Sequence, residues 1–344
     1  MAYTTINKST AHFNTLLYTG NSGTQTKTGV GFQPDLTWIK QRTASPGDTN
    51  NVLYDAVRGA YWTIQSNTDA GQSADDGLVG WNSDGFNIGN VNTTNYNNST
   101  YAAWNWKANG SGSSNTAGTI NSTVSVNTTA GFSIVRFTGT GANATVGHGL
   151  GSVPKMIILK KTNGGADWIV YHNSMGNTKA LKLNTNAALS TDNGYFNATT
   201  PTSTLFSLGN DGFSNGSSAT IIAYCFADVQ GYSKFGSYTG NGNTDGPFVY
   251  TGFKPAFVII KRTAVTGSWN LLDSKRLGYN PDNNRLFPDT NAADNTGDVL
   301  DILSNGFKIT NSGSNYNNSG EVKIYMAFAA APLVGTNNVP ANAR

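Results

Sequence analysis

Charge is scarce in this chain. Only 12% of its 344 residues are Asp, Glu, Lys or Arg, about half the share of an ordinary soluble protein. The net charge is +3, and the basic residues are scattered singly rather than gathered into a stripe. This excludes the electrostatic footprint of a nucleic-acid binder. Cysteine occurs once, as Cys225, so neither an internal disulfide nor a cysteine-based metal cluster is expected. Its neighbours, "IIAYCFA", mark it as a small buried hydrophobe. Histidine occurs three times, as His12, His148 and His172. No run of 18 apolar residues exists, so no membrane insertion is expected. The start, "MAYTTINKSTAHF", lacks the basic and apolar regions of a signal peptide. The chain is therefore expected to be made in a cytoplasm and to reach any exterior by assembly and release. Little of it has helical period. The low net charge and 11% aromatics argue for a folded chain rather than a disordered one.

What the chain has in excess is glycine, asparagine, threonine and serine, and these frame a repeat. Four markers recur in one order. An aromatic-Thr-Gly comes first, at residues 18–20, 137–139 and 238–240. A proline-to-lysine apolar run follows: "GFQPDLTWIKQRT" (31–43), "GSVPKMIILKKT" (151–162) and "GFKPAFVIIKRT" (252–263). Next come "NTDA", "NTNAA" and "DTNAA", beginning at Asn67, Asn184 and Asp289. An Asp/Asn-Gly-Phe stands before each closing strand: "YAAWNW", "IIAYCFA" and "IYMAFA". The units are domain-sized rather than solenoid-sized. The expected division is 1–108, a Gly/Ser/Asn-rich linker at 109–125, 126–230, 231–332 and a tail at 333–344. Units two and three abut without a linker, and unit one is expected to hinge. Short apolar runs bounded by turn formers predict an all-β chain of three tandem β-sandwich domains, jelly-roll or lectin-like.

Strand period two places positions +2, +4 and +6 after Pro34, Pro154 and Pro255 on one face. Those rows are Leu36-Trp38-Lys40, Met156-Ile158-Lys160 and Phe257-Ile259-Lys261. Each lysine ends an apolar row, so its stem is expected to cover that row while the ammonium reaches water at the rim. Position +5 is also apolar, which predicts a strand covered on both sides. If each run turns back as a hairpin, Lys160 lies opposite Trp168 and Lys261 opposite Trp269, in cation–π range. Asn51 takes that place in unit one. The Asp/Asn-Gly pairs predict type I′ hairpins at Gly85, Gly212 and Gly306. Phe86, Phe213 and Phe307 would then pin the return strands.

Hydrolytic sites need a paired acid and base, or a nucleophile with a base. No histidine recurs across the units, and His172 falls in the column of Asp55 and Asp273, near a strand end. No catalytic residue, cofactor or nucleotide site is expected, since no Walker or dinucleotide pattern opens a helix. Calcium is kept as an alternative, because Asp69, Asp75, Asp76, Asp289, Asp294 and Asp298 are hard oxygen donors in or near the loops. The remaining candidates are aromatic. "NYNNS" precedes two closing strands, and Tyr96 and Tyr316 would sit at loop tips. A tyrosine beside asparagine amides suits sugar stacking and hydroxyl hydrogen bonds. Tyr61 and Trp62, in "GAYWTIQ", are expected to be buried.

The ordered motifs "GFQPDLTWIKQRT…LYDAVRGA…SDGF…YAAWNWKA", "GHGLGSVPKMIILKKT" and "YSKFGSYTGNGNTDGPFVYTGFKPAFVIIKRT" resemble a repeat module of virion and tail-fibre-type structural proteins of marine tailed bacteriophages, of the cyanophage and pelagiphage type. The resemblance implies a non-enzymatic virion surface protein: a tail fibre, capsid fibre or capsid decoration serving structure and host attachment. Its partners would be other virion proteins, further copies of itself as a homotrimer, and host-surface glycan. The alternatives are a carbohydrate-binding module and a glycan-degrading tailspike-like enzyme.

Overall fold

A computed structural model describes residues 3–44, 50–276, 280, 283–331, 334–335 and 339. The expected tail at 333–344 lies almost wholly outside the described residues. The chain is mostly β-strand, arranged in several antiparallel sheets, with only short helical turns.

Each repeat builds its large sheet around the same four strands. In unit one, Phe13–Thr19 pairs with the closing strand Thr100–Trp106, which pairs with Leu36–Gln41, which pairs with Val52–Asp55. Unit two repeats the order as Phe132–Thr138, Thr220–Phe226, Met156–Lys161 and Ile169–His172. Unit three repeats it as Ser233–Thr239, Val322–Ala329, Pro255–Arg262 and Asn270–Asp273. A small antiparallel sheet accompanies each large one: Gln25–Lys27 on Gly85–Ile88, Ala144–Gly147 on Leu205–Leu208, and Phe248–Tyr250 on Gly306–Ile309.

The proline-to-lysine runs are buried along almost their whole length. Their +2 and +4 residues, Leu36 and Trp38, Met156 and Ile158, and Phe257 and Ile259, share one apolar cluster that draws on all three units. The other face is covered locally. In unit two it joins a cluster with Phe206 and Leu208 of the small sheet. In unit one it joins a cluster with Phe86 and Ile88. A closing strand has the same two-sidedness. Ala102, Trp104 and Trp106 face the shared cluster while Tyr101 and Ala103 face the local one. Strands covered on both faces read as continuous apolar runs, which is why "IIAYCFA" and "IYMAFA" lack alternation.

The three units close on one another instead of standing in a row. Trp106, Phe226 and Phe328 occupy the same place on the three closing strands, beside Leu36, Met156 and Phe257. Their rings form a triangle, with centroids 6.4, 5.8 and 6.1 Å apart. Phe13, Phe132, Phe235 and Phe257 pack around it. Full burial of such a ring contributes about 1.5–3 kcal/mol, and each well-placed aromatic pair adds roughly 0.5–1.5 kcal/mol. Unit one therefore has no hinge. Its last closing-strand residue is at the centre of the molecule.

Three further expectations are corrected. Residues 109–125 are not a loose linker. Ser113–Asn115 and Ser122–Asn127 extend the sheet of unit two, and Asp35 fixes the chain at 108–110 by accepting from the Ala108 and Gly110 amides. Hairpins do form before Gly85 and Gly306, but the turns are residues 83–84 and 304–305, and neither glycine has positive φ. Glycine is needed there because a Cβ would collide with the Lys27 or Val249 carbonyl of the adjoining strand. Gly212 stands in no hairpin, and Phe213 is exposed. The residue that matches Phe86 and Phe307 in unit two is Phe206, paired on the small sheet and fully buried.

Candidate functional sites: inter-unit clamps and surface aromatics

The strand register places the lysines where the hairpin reading put them. Ile39 faces Val52, Leu159 faces Ile169 and Ile260 faces Asn270, so Lys40, Lys160 and Lys261 come next, beside Asn51, Trp168 and Trp269. Their exposure differs from expectation. All three lysines are buried completely. The ammonium does not reach water, because the neighbouring unit supplies a cage of carbonyls. Lys160 Nζ donates to Asp69 O of unit one (2.8 Å) and to Ala166 O of its own unit (2.6 Å). Lys261 Nζ donates to Asn186 O and Ala187 O of unit two (3.2 and 2.9 Å) and to Gly267 O (2.6 Å). Lys40 Nζ donates to Asn291 O of unit three (2.8 Å). Burial pushes both Lys160 and Lys261 down to about 8. Lys160 also lies 5.7 Å from the Trp168 ring.

The loop marker is the other half of each clamp. Asn67, Asn184 and Asp289 each accept from the backbone amide of Asn51, Trp168 or Trp269 in their own unit. That holds the loop so that its next carbonyls point at the following unit. Trp168 Nε1 then donates to Gln65 O, and Trp269 Nε1 to Lys182 O, both 2.9 Å. Asn51 does the same work at the third seam, donating to Phe287 O, Pro288 O and Thr290 O. An amide thus replaces an indole where the ring closes.

The column of Asp55, His172 and Asp273 is a second set of seam contacts, running in the same direction. Tyr224 of unit two donates its hydroxyl to Asp55 (2.7 Å). Trp104 of unit one donates its indole N–H to Asp273 (3.0 Å). His172 Nε2 donates to Tyr325 O of unit three (3.2 Å), while Nδ1 accepts from the Ser174 amide. Two members are charged and paired: Asp55 with Arg58 at 2.5 Å and Asp273 with Arg276 at 2.7 Å, all buried. Met175 stands where those arginines stand. Burial lowers His172 to about 4, so the His–Met corner is neutral.

Four of the six aspartates considered for calcium serve separate partners. Asp75 accepts from the Tyr54 hydroxyl, Asp289 from Trp269 N, Asp298 from Thr310, and Asp294 joins Arg42 to Arg276. No group of three His, Cys, Asp or Glu suited to a metal occurs among the described residues. His148 is buried, with Nε2 on Thr202 O and Nδ1 on the Leu150 amide. Cys225 is buried too, its thiol pushed up to about 12 by burial.

The loop tyrosines change places with the pair expected inside. Tyr316 is buried, its hydroxyl donating to Asn270 and its ring under Arg285. Its ring is not available for stacking. Tyr96 is half-buried, and its amide donates to the Tyr101 hydroxyl. The element that recurs in those loops is asparagine. Asn95, Asn215 and Asn317, all buried, bind the backbone after each aromatic-Thr-Gly through the Asn21, Thr140 and Asn241 amides. Gly20, Gly139 and Gly240 are required because a Cβ would strike the backbone that follows each asparagine. The sequence signal was present, but offset by two residues in unit three from the "NYNNS" match. Tyr61 and Trp62, by contrast, are exposed, as are Phe248 and Tyr250.

The chain belongs to a family described as a domain of unknown function, DUF7483, whose model matches residues 8–332. No curated protein matches it. The family spans all three repeats, in keeping with units that share one core.

Proposed function

We propose that the protein is a non-enzymatic bacteriophage virion surface protein, a tail fibre, capsid fibre or decoration, that serves structure and host attachment. The observation that carries this reading is the use of its few ionisable groups. Lys40, Lys160, Lys261, Asp55 and Asp273 are buried and tie unit to unit. A chain that spends its scarce charges on closing a ring of repeats is built for rigidity, with a surface kept soluble by Asn, Thr and Ser. The order of its motifs and their resemblance to phage virion modules support a place on the virion. Each repeat is read as a two-layer β-sandwich of jelly-roll or lectin-like type, the large and small sheets enclosing an apolar layer.

The protein is made in the host cytoplasm and joins other virion proteins on the particle. A homotrimer is the favoured assembly, since appendages use closed symmetry. Light scattering should then give about three times the 36.3 kDa chain mass. The direct test is mass spectrometry of purified particles followed by reconstruction. Absence of the chain from the particle would end the reading.

A second reading is a carbohydrate-binding module for host-surface glycans. The exposed ring of Tyr250 favours it, since amphipathic aromatics stack on sugars while offering polar edges. A glycan-degrading enzyme is the reading least supported, because such cleavage ordinarily takes two facing carboxylates, and Asp75, Asp289, Asp294 and Asp298 are held by separate partners. Release of reducing ends from host polysaccharide would overturn that judgement.

A further inference from the structure

The N-terminal segment tucks beneath units two and three. Ile6 is buried in the shared cluster, and Tyr3 packs against it. Tyr3 is seated by two glycines in left-handed backbone, Gly231 (φ 75°) and Gly252 (φ 85°). A Cβ at Gly231 would lie 2.9 Å from the Tyr3 ring, and one at Gly252 would lie 3.1 Å from its hydroxyl. The hydroxyl itself donates to Gly252 O at 2.5 Å. In unit two the glycine matching Gly252 is Gly151, with nothing within reach of a Cβ. The tyrosine seat is therefore peculiar to this seam.

Tyr3 forms one wall of a groove of about 340 Å³, and Tyr250 forms another. That volume is at the small end of ligand clefts, which run roughly 300–1,000 Å³. Tyr250 is the most exposed aromatic among the described residues, at 61%. It projects from Phe248–Tyr250, the edge strand of its small sheet, on the side opposite buried Val249, and exposed Phe248 continues that side. Gln230, Asp228, Lys234, Ser233 and Thr251 complete the lining beside the two glycines, the Ser233 and Thr251 hydroxyls already donating to Ala227 O and Phe253 O. One Asp228 oxygen is committed to the Phe235 amide. The lining thus combines aromatic faces with donors and acceptors of both kinds, and carries one charge of each sign.

We infer that this groove binds a neutral hexopyranose unit of a surface polysaccharide, stacked on Tyr250 and hydrogen-bonded by Gln230 and Lys234. Aromatic faces match the apolar C–H face of the sugar ring, and the mixed polar groups match its hydroxyls, each of which both donates and accepts. The balanced charge gives acidic sugars no electrostatic advantage. The inference rests on the glycan-binding reading and assigns it a place.

The test is saturation-transfer NMR of the full chain with methyl glycosides of glucose, galactose, mannose and N-acetylglucosamine. At least one should bind the unaltered protein. Tyr250→Ala should weaken that binding at least about tenfold with an unchanged melting temperature, and Trp62→Ala should leave it intact. Gln230→Ala alters only an exposed side chain and should also weaken binding, which covers the case of a misfolded Tyr250 variant. Binding that survives Tyr250→Ala but is lost in Trp62→Ala would overturn the groove and leave the glycan reading standing. Silence from all four sugars would overturn both.

Discussion

Two corners of the molecule do the same job with opposite chemistry. At Asp273, a carboxylate and the Arg276 guanidinium are buried together, and Trp104 of the next unit closes the contact. At His172, a neutral imidazole takes the carboxylate's place, Met175 takes the arginine's, and a backbone carbonyl closes the contact. The comparison teaches that the fold requires a hydrogen-bonding partner at that position, but no net charge. Charges can be added or removed there only as a pair, since a lone buried charge is costly.

The largest expected effect comes from breaking one pair. Asp55→Leu strands Arg58 in the core, and urea denaturation should show a loss of about 3–5 kcal/mol. A loss under 1 kcal/mol would mean that the pair is not what holds that corner. Next in size is acid. His172 has a folded value of about 4 against an ordinary value of 6.5. Between these values the unfolded chain binds the extra proton, so stability falls as pH drops from about 6.5 to 4, by on the order of 3 kcal/mol. His172→Gln should flatten that part of the stability–pH curve, and an unaltered slope would locate acid sensitivity elsewhere.

Exchanging the chemistry sharpens the comparison further. His172→Asp alone should destabilise. With Met175→Arg added, the double variant should recover about 2 kcal/mol relative to additivity in a double-mutant cycle. The smallest effect belongs to the rim. Arg42 meets Asp294 where both are partly exposed, and Arg42→Ala should cost less than about 1 kcal/mol and respond to salt.

Much of the local plan was legible. The two-residue period in "FVIIKRT" and its relatives correctly sorted Phe257 and Ile259 onto one face, because alternation is a property of the strand itself. The opposition of Lys160 to Trp168 followed from the same geometry. Tyr316 and Trp62 were not legible. Tyr316 lies among asparagines and serines yet is buried, and Trp62 lies among Ala60, Tyr61 and Ile64 yet is exposed, because exposure depends on what packs against each ring. Phe213 was mistaken for Phe206 because a three-letter match outweighed a strand whose partner lies some sixty residues earlier in the chain.

The amino-acid order alone determined that one set of markers recurs three times and which side of each strand is apolar. All of this is encoded within a few residues of each position. Only the tertiary structure decided that the units form a ring, that each lysine ends in a neighbour's carbonyls, and that two tyrosines from the early parts of the first and third units meet over Gly252. Those outcomes join residues 91 to 251 positions apart. Repeated markers look the same in a row as in a ring, whereas the buried ammonium is stable only in the second.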